Sequence, residues 1–449
     1  MDIGAPLIRH VLYPLWARKI GSNRLRVAGE LERSQYQPAS ELQAAQFGSF
    51  QRMVRHAYDH CEFYRARYDA AGIRPDDIRV PADIARIPTI TKEEIQENRE
   101  RMVSRITPRA DLIPDMTGGS TGSPLKFFYD KARLDSRIGA TLRHNAWAHW
   151  RLGDKAAVLW GAPQDLAQGQ KLKDRVRDWI IDRRLLLDAS RIDDARMHAF
   201  ADALREYQPR VMQAYSNTLA LFAKFVKENR ITGIRPKGIV CSAELLTSES
   251  RALIEETFGC PVYDRYGCRE FAVIASECDR HRGMHINQEN LFVESVDEHG
   301  PALDRDGEIV ITDLRNFAMP MIRYRIRDVG RVLSEGCTCG RGLALMRLSG
   351  GRTTDFLVST SGARVSGIVL ATYVITNLQG VRQIQFVQSA KGSVTIRVAR
   401  GPDWTDALAQ SLADKARHYL GSDMRVDFEY VERIESEKSG KFRFSICSI

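Results

Sequence analysis

The chain has 449 residues, 43% of them apolar and 27% charged, and Lys plus Arg outnumber Asp plus Glu by 66 to 57. That is long enough for two or three domains and apolar enough to bury a core, so disorder by composition is excluded. Glycine without a period and only 8 cysteines exclude a collagen and a disulfide scaffold. The formal charge of +9 suits anionic ligands such as nucleotides. No basic arm or aromatic–basic ribonucleoprotein motif stands apart, so nucleic acid is not expected as a partner.

The first segment, MDIGAPLIRHVLYPLWARKIG, is broken by Arg9, His10 and Pro14 and lacks a long apolar run. It reads as neither a signal peptide nor a membrane span. Leu7, Val11, Leu12, Leu15 and Trp16 form one apolar stripe flanked by Arg9, Arg18 and Lys19. Such a helix either packs on the body of the protein or touches a membrane surface. Stable membrane insertion is not expected. A reducing cytoplasmic setting is, with cysteines as thiols or metal ligands.

Residues 40–110 read as polar and helical, with Met53, Ala57, Cys61, Tyr64 and Tyr68 near helical spacing and Gly72 as a stop. A Gly/Ser/Thr cluster between Met116 and Tyr129 breaks the pattern. Alternating units come next. Strands are expected at 156–163, 210–216, 237–244 and 259–267, with helices at 192–206 and 217–229, which predicts a mainly parallel α/β sheet. After residue 285 the runs INQENLFVESVD, GEIVITDL and RVLSEG predict short antiparallel strands. Past SGGRTTD (349–355) a small α+β unit is expected. It comprises a helix at 366–377, strands RQIQFVQS and SVTIRVA, a helix at 403–420 and a strand RVDFEYV.

Five segments carry candidate chemistry. Thr117-Gly118-Gly119-Ser120-Thr121-Gly122 can bring backbone N–H groups and hydroxyls to phosphate oxygens, without the Gly-Lys-Ser/Thr of a Walker loop. A plain surface loop would look the same. Tyr263 to Glu270 offers an aromatic for a base and a carboxylate for Mg²⁺. Arg323 to Asp328 ends in a carboxylate able to accept from two ribose hydroxyls. Gly351 to Asp355 marks a domain break. Ser439-Gly440-Lys441 can bring an ammonium to a developing phosphoryl charge.

In this order and spacing the segments resemble the adenylate-forming acyl-CoA synthetase superfamily. Within it the chain is most similar to the phenylacetate–CoA ligase branch and its capsule-biosynthesis relatives. HAYDHCEFYRARYDAAGI with RIPTITKEEI, MPMIRYRIRDVG and SGGRTTDF carry that closer likeness. The resemblance implies a large ATP- and acid-binding domain over 1–351, built from mixed and parallel sheets with a β section. A small mobile α+β domain over 352–449 would carry the catalytic lysine. It also implies acid activation through an acyl-adenylate with release of pyrophosphate, then acyl transfer to CoA, with closure of the small domain ordering the two steps. Transfer to an amine or a carrier protein in polysaccharide or natural-product tailoring is the alternative. A non-catalytic nucleotide-binding protein is a further one.

Carried over by residue, Thr117 to Gly122 correspond to the phosphate loop and Ser242-Ala243-Glu244 to the adenine-lining segment. Tyr266, followed by Gly267, corresponds to the adenine-stacking aromatic. Glu270 corresponds to the Mg²⁺-linked carboxylate, Asp328 to the ribose carboxylate, Arg352 to the arginine near ribose and phosphate, and Lys441 to the adenylation lysine. Two positions depart from the pattern. Arg269 stands where Ser or Thr is usual, and Thr354 where a hinge Asp or Lys is common. For the acid pocket the family points to Gln213 to Ser216 and the surroundings of Cys241. A homodimer is compatible with the branch.

Cys278 and His285 are spaced C-x6-H, and Cys337 and Cys339 C-x-C. On spacing alone unrelated buried cysteines are the favoured reading over a Cys₃His site, since these spacings are not those of a standard finger. His281 is a rival ligand, and Cys268, close to Tyr266, either is another or lines the acid pocket. Relatives in the branch carry a similar Cys/His set, so the resemblance implies a structural Zn²⁺.

Overall fold

The computed structural model describes residues 2, 4–117, 124–160, 181–189, 194–352, 356–362, 364–366, 380–435 and 443–449. It divides into two compact units, each built from two stretches of chain. One comprises Met1–Gly153 and Arg265–Ser349, the other Asp154–Asp264 and Gly350–Ile449.

The first unit begins with α1 (Gly4–Leu7), a π-helical turn (Ile8–Leu12), α2 (Tyr13–Lys19) and α3 (Arg24–Ser34). Then come α4 (Ala39–His60), α5 (Glu62–Ala70) and α6 (Lys92–Met102). The stop read at Gly72 is real: the residue adopts φ +65° just past α5. Helix α6 starts on a capping box, in which the Thr91 hydroxyl accepts from Glu94 N–H and the Glu94 carboxylate accepts from Thr91 N–H. Strands β1 (Ile113–Met116) and β2 (Lys126–Tyr129) pair antiparallel, so part of the stretch read as a break is sheet. Asp130 then caps α7 (Lys131–Trp147).

The chain passes into the second unit through β3 (Ala156–Trp160), β4 (Arg184–Asp188), α8 (Asp194–Tyr207), β5 (Val211–Tyr215), α9 (Ser216–Glu228), β6 (Gly238–Ser242) and α10 (Ser248–Phe258). These strands pair parallel in the order β4-β3-β5-β6, in line with the strand–helix alternation. The edge strand β4 is an addition to the predicted set. Strand β7 (Val262–Cys268) leads back to the first unit.

There β8 (Ala272–Glu277), β9 (Met284–Ile286), β10 (Leu291–Asp297), β11 (Gly300–Ala302), β12 (Gly307–Asp313), β13 (Tyr324–Leu333) and β14 (Leu345–Arg352) are laid down in turn. The sheet order is β11-β10-β12-β13-β14-β9-β8-β7. Antiparallel pairing already begins at β7 with β8, earlier along the chain than the texture change at residue 285. Phe50, Met53, Tyr64, Phe127, Phe271, Ile309 and Tyr324 belong to this unit's core.

The chain ends in the second unit with an antiparallel pair, β15 (Phe356–Val358) and β16 (Arg364–Ser366). The last elements are β17 (Val381–Ala390), β18 (Ser393–Arg400), α11 (Asp406–Leu420), β19 (Arg425–Val431) and β20 (Ser445–Cys447). The four strands β17 to β20 form one sheet in the order β19-β18-β17-β20. The other elements predicted here are present; the helix expected at 366–377 lies, beyond Ser366, outside the described residues. One apolar cluster joins Leu219, Phe222 and Ile239 with Ile384, Phe386 and Ile396.

Candidate active site and metal centre

Within the first unit the candidate nucleotide residues converge on β7 and β13. The β7–β8 register shifts between Tyr266 and Gly267. At Gly267 a Cβ would stand 2.5 Å from the Ala272 carbonyl oxygen, so only glycine allows the strands this close. On β13 the pairing with β12 slips between Val310↔Arg325 and Glu308↔Val329, and Arg327 takes φ +68°. Such irregularities re-aim side chains. They bring together two residues 62 positions apart: the Tyr266 hydroxyl donates to Asp328 Oδ2 at 2.7 Å.

Burial first, then the Asp328 charge, holds the Tyr266 phenol well above its ordinary pKa, so it stays a donor. The Cys268 thiol is likewise pushed well up by burial and by Glu270. Cys268 therefore belongs to this carboxylate-rich corner. It is not among the described residues that could share a metal with the Cys/His set.

Glu270 lies on the turn between β7 and β8, and α7 pins that turn. Arg137 donates to the Arg269 carbonyl at 2.7 Å, and Arg133 donates to the Phe271 carbonyl at 3.2 Å. Arg133 is itself fixed by a buried pair with Asp313 at 2.7 Å. The sequence carries no signal for these positioning arginines, because the two carbonyls they hold and Asp313 lie 132 to 180 positions further along the chain. Thr117 ends the β1 side of its loop, where its hydroxyl accepts from Leu125 N–H at 2.9 Å.

In the second unit Ser242 ends β6, and Ala243 takes φ +69°. The Glu244 carboxylate accepts from Asn217 N–H at 2.8 Å at the start of α9, where a negative charge suits the helix dipole. Tyr215 and Cys241 are buried, and the Tyr215 ring lies 4.1 Å from Trp160. Arg352 closes β14. Gly118 to Gly122, Thr354 and Lys441 lie outside the described residues.

The metal candidates do meet. Cys278 follows β8, His285 sits on β9, and Cys337 and Cys339 lie between β13 and β14. Their ligand atoms all fall within 4.8 Å of one another. Cys278 Sγ and Cys337 Sγ are 3.8 Å apart, and Cys339 Sγ is 3.3 Å from His285 Nε2. A tetrahedral Zn²⁺ with Zn–S near 2.3 Å has S···S edges of about 3.8 Å, so the set fits. His285 Nδ1 faces the Leu343 carbonyl at 3.3 Å, the kind of outer bond that fixes a ligating imidazole. His281 instead bonds the Glu277 carboxylate at 3.1 Å and stands outside the set.

Burial lowers His285 to about 4, keeping it neutral as a ligand must be. Burial also raises Cys278 to about 12. At Cys339 burial works upward too, but the Arg341 N–H and guanidinium outweigh it and hold the thiol below its ordinary value. All eight cysteines are free thiols. A cavity of about 280 Å³ beside this cluster is lined by Tyr36, Arg143, Trp147, Asp279 and Arg341, and not by Tyr266 or Asp328.

A family profile described as the CapK C-terminal domain matches residues 357–448. Protein CapK of Staphylococcus aureus is 26% identical over 91% of this chain and 89% of its own length. A phenylacetate-coenzyme A ligase of Aromatoleum evansii is 25% identical over 89% of this chain and 92% of its own. In fold, the chain is similar to a crystal structure of 2-hydroxyisobutyryl-CoA ligase in the postadenylation state in complex with 2-HIB-AMP. The TM-score is 0.76 at 19% identity, covering 93% of this chain and 91% of that one. The resemblance to the adenylate-forming acyl-CoA synthetase superfamily, and within it to the phenylacetate–CoA ligase-like branch, is borne out by these likenesses in sequence and fold. Among the described residues, no helix is long and apolar enough to cross a membrane.

Proposed function

We propose that the protein is an AMP-forming acid–thiol ligase. A carboxylate oxygen of the substrate attacks the α-phosphorus of ATP, the bond to the β-phosphate bridging oxygen breaks, and pyrophosphate leaves. The thiolate of CoA then attacks the acyl carbon and AMP leaves. The observation that carries this reading is the Tyr266–Asp328 hydrogen bond of 2.7 Å, formed across two strand irregularities beside Glu270. A carboxylate is an acceptor only, and one held by a buried phenol is preset for ribose hydroxyls.

In this reading Glu270 is the carboxylate for Mg²⁺, and Ser242 to Glu244 line adenine. Thr117 to Gly122 and Arg352 act on phosphates, and Lys441 bridges the acid and the α-phosphate. A large domain over 1–351 and a small mobile one over 352–449 are part of the proposal, as are a cytoplasmic setting and a homodimer. Cys278, His285, Cys337 and Cys339 hold a structural Zn²⁺: four protein ligands leave no open position, so the ion would tie strands together and take no part in the reaction.

The test is ATP–pyrophosphate exchange with Mg²⁺ across aryl, aliphatic, hydroxy and amino acids. Exchange with one class is expected, and CoA should then convert it to thioester and AMP. No exchange in a folded, ATP-binding protein would overturn the ligase in favour of a nucleotide-binding protein without turnover. Release of AMP that depends on an amine or a carrier, with CoA inert, would move the acceptor towards polysaccharide or natural-product tailoring.

A further inference from the structure

We propose that residues 4–20 form a docking surface for an anionic lipid membrane. The segment runs through α1, the π-helical turn and α2. One face is built into the first unit: Ala5, Ile8, Tyr13 and Ala17 are buried. Gly153 shows how closely that face is held, because a Cβ there would stand 2.5 Å from the Ala5 carbonyl oxygen. The other face carries Leu7, Val11 and Leu15 at four-residue spacing, exposed to 52%, 42% and 57%, and then Ile20 at 38%. Single exposed apolar residues need no explanation, but a row of them on a helix docked on the body of the protein does.

Charge names the occupant. Residues 3–29 contain no Asp or Glu, although the chain has 57 of them, while Arg9, Arg18, Lys19, Arg24 and Arg26 all fall there. Three of these cations are engaged: Arg9 with the Leu152 carbonyl, Arg24 with Asp135, and Arg26 with Glu30. Arg18 and Lys19 are exposed in the last turn of α2, between Leu15 and Ile20. A second copy of the chain is a poor partner for this face. A two-fold contact sets a patch against itself and would oppose Arg18 and Lys19 to their own copies, with no acid in the patch to pair them. An anionic bilayer supplies both needs, an acyl boundary for the leucines and phosphates for the two cations.

The experiment is sedimentation of the full-length protein with vesicles of phosphatidylcholine alone or with about 30% phosphatidylglycerol, at low salt and at about 0.5 M salt. Binding is expected to the anionic vesicles only, and high salt should remove most of it. Leu7→Ser with Leu15→Ser, and separately Arg18→Glu with Lys19→Glu, should each weaken binding about tenfold or more. The circular dichroism spectrum and thermal midpoint of both variants should stay unchanged. The proposal fails if the wild-type chain ignores anionic vesicles or if both variants bind as it does. It also fails if the leucine variant instead abolishes a lipid-independent dimer, which would assign the face to a second copy.

Discussion

The two units bury different chemistry. Among the described residues, every buried charged side chain lies in the first unit, including Arg24, Arg133, Asp135, Arg143, Arg265, Glu277, Glu294, Asp313 and Arg323. The buried polar residues of the second unit are all neutral, such as Asn217, Thr218, Gln383, Gln385 and Gln388. Buried charges demand directional partners, and the first unit supplies them: Arg133 with Asp313 at 2.7 Å, Arg143 with Glu289 at 2.6 Å, Arg323 with Glu294 at 3.0 Å. An apolar core is held by contact area and accepts small changes of shape. A network of paired charges fixes one geometry and fails steeply when a member is lost. The unit with the steeper failure is also the one that aims Tyr266, Glu270 and Asp328.

Three substitutions test that contrast in the first unit, in falling order of effect. Cys337→Ser should come first. Structural zinc is worth about 10 kcal/mol or more in small domains, so the variant should lose the metal by elemental analysis and unfold at a much lower temperature. Unchanged metal content would remove Cys337 from the ligand set. Arg133→Met should come second, at about 3–5 kcal/mol in urea unfolding, because Asp313 stays buried with the Arg315 and Asn316 N–H groups on Oδ1 but loses the guanidinium that balances its charge. It should also impair catalysis, since Arg133 holds the turn that carries Glu270. A loss below about 1 kcal/mol would show that water reaches Asp313 and that the contrast between the cores is overstated. Tyr266→Phe is milder: it forfeits one hydrogen bond to a carboxylate, about 1.5–3 kcal/mol. The expected result is a rise in KM for ATP of about ten- to a hundredfold with the fold intact. An unchanged KM would separate Asp328 from nucleotide binding.

These devices are unequally visible in the sequence. Strand–helix alternation in 156–258 and the alternating runs after 285 announce the two sheet types, because hydrophobic periodicity is local information. The C-x6-H and C-x-C pairs are visible as pairs. Their meeting depends on β9 lying between β8 and β14, a long-range pairing that spacing does not encode. Tyr266 and Asp328 come from family resemblance. Two register slips join them, and no residue pattern marks those slips apart from Gly267. Arg133 and Asp313, 180 positions apart, and the Leu343 carbonyl on His285 leave no trace. The N-terminal stripe is legible only in part. A strict helical period puts Leu7, Val11, Leu12, Leu15 and Trp16 together, but Leu12 and Trp16 are half-buried while Leu7, Val11 and Leu15 face out. The π-helical turn at Ile8–Leu12 holds an extra residue and so rotates α2 relative to α1.

Ile396→Val probes the second unit. Ile396 is fully buried on β18 in the apolar cluster, so losing one methylene should cost about 0.5–1.5 kcal/mol and leave the pH dependence of stability unchanged. A loss above about 3 kcal/mol would mean that this core is as exacting as the first and would dissolve the contrast.

The last effect is one of pH. His144 is buried on α7, and its pKa is held well below the ordinary value by burial first, then by Arg143, Arg265, His285 and Arg341. Its Nδ1 has no hydrogen-bond partner, so a proton there would be a buried, unpaired charge. The unfolded chain takes up that proton at about pH 6.5, and the folded one does so only at much lower pH. Between those values the unfolded state holds more protons, so stability rises with pH. The contribution is complete above about 6.5 and is lost as pH falls. The midpoint in urea should therefore fall from pH 7 towards pH 5, and His144→Gln should flatten that slope by about one proton. A slope that His144→Gln leaves unchanged would mean that the imidazole is protonated in the folded protein. The first unit would then tolerate a buried imidazolium beside Arg143, Arg265 and Arg341.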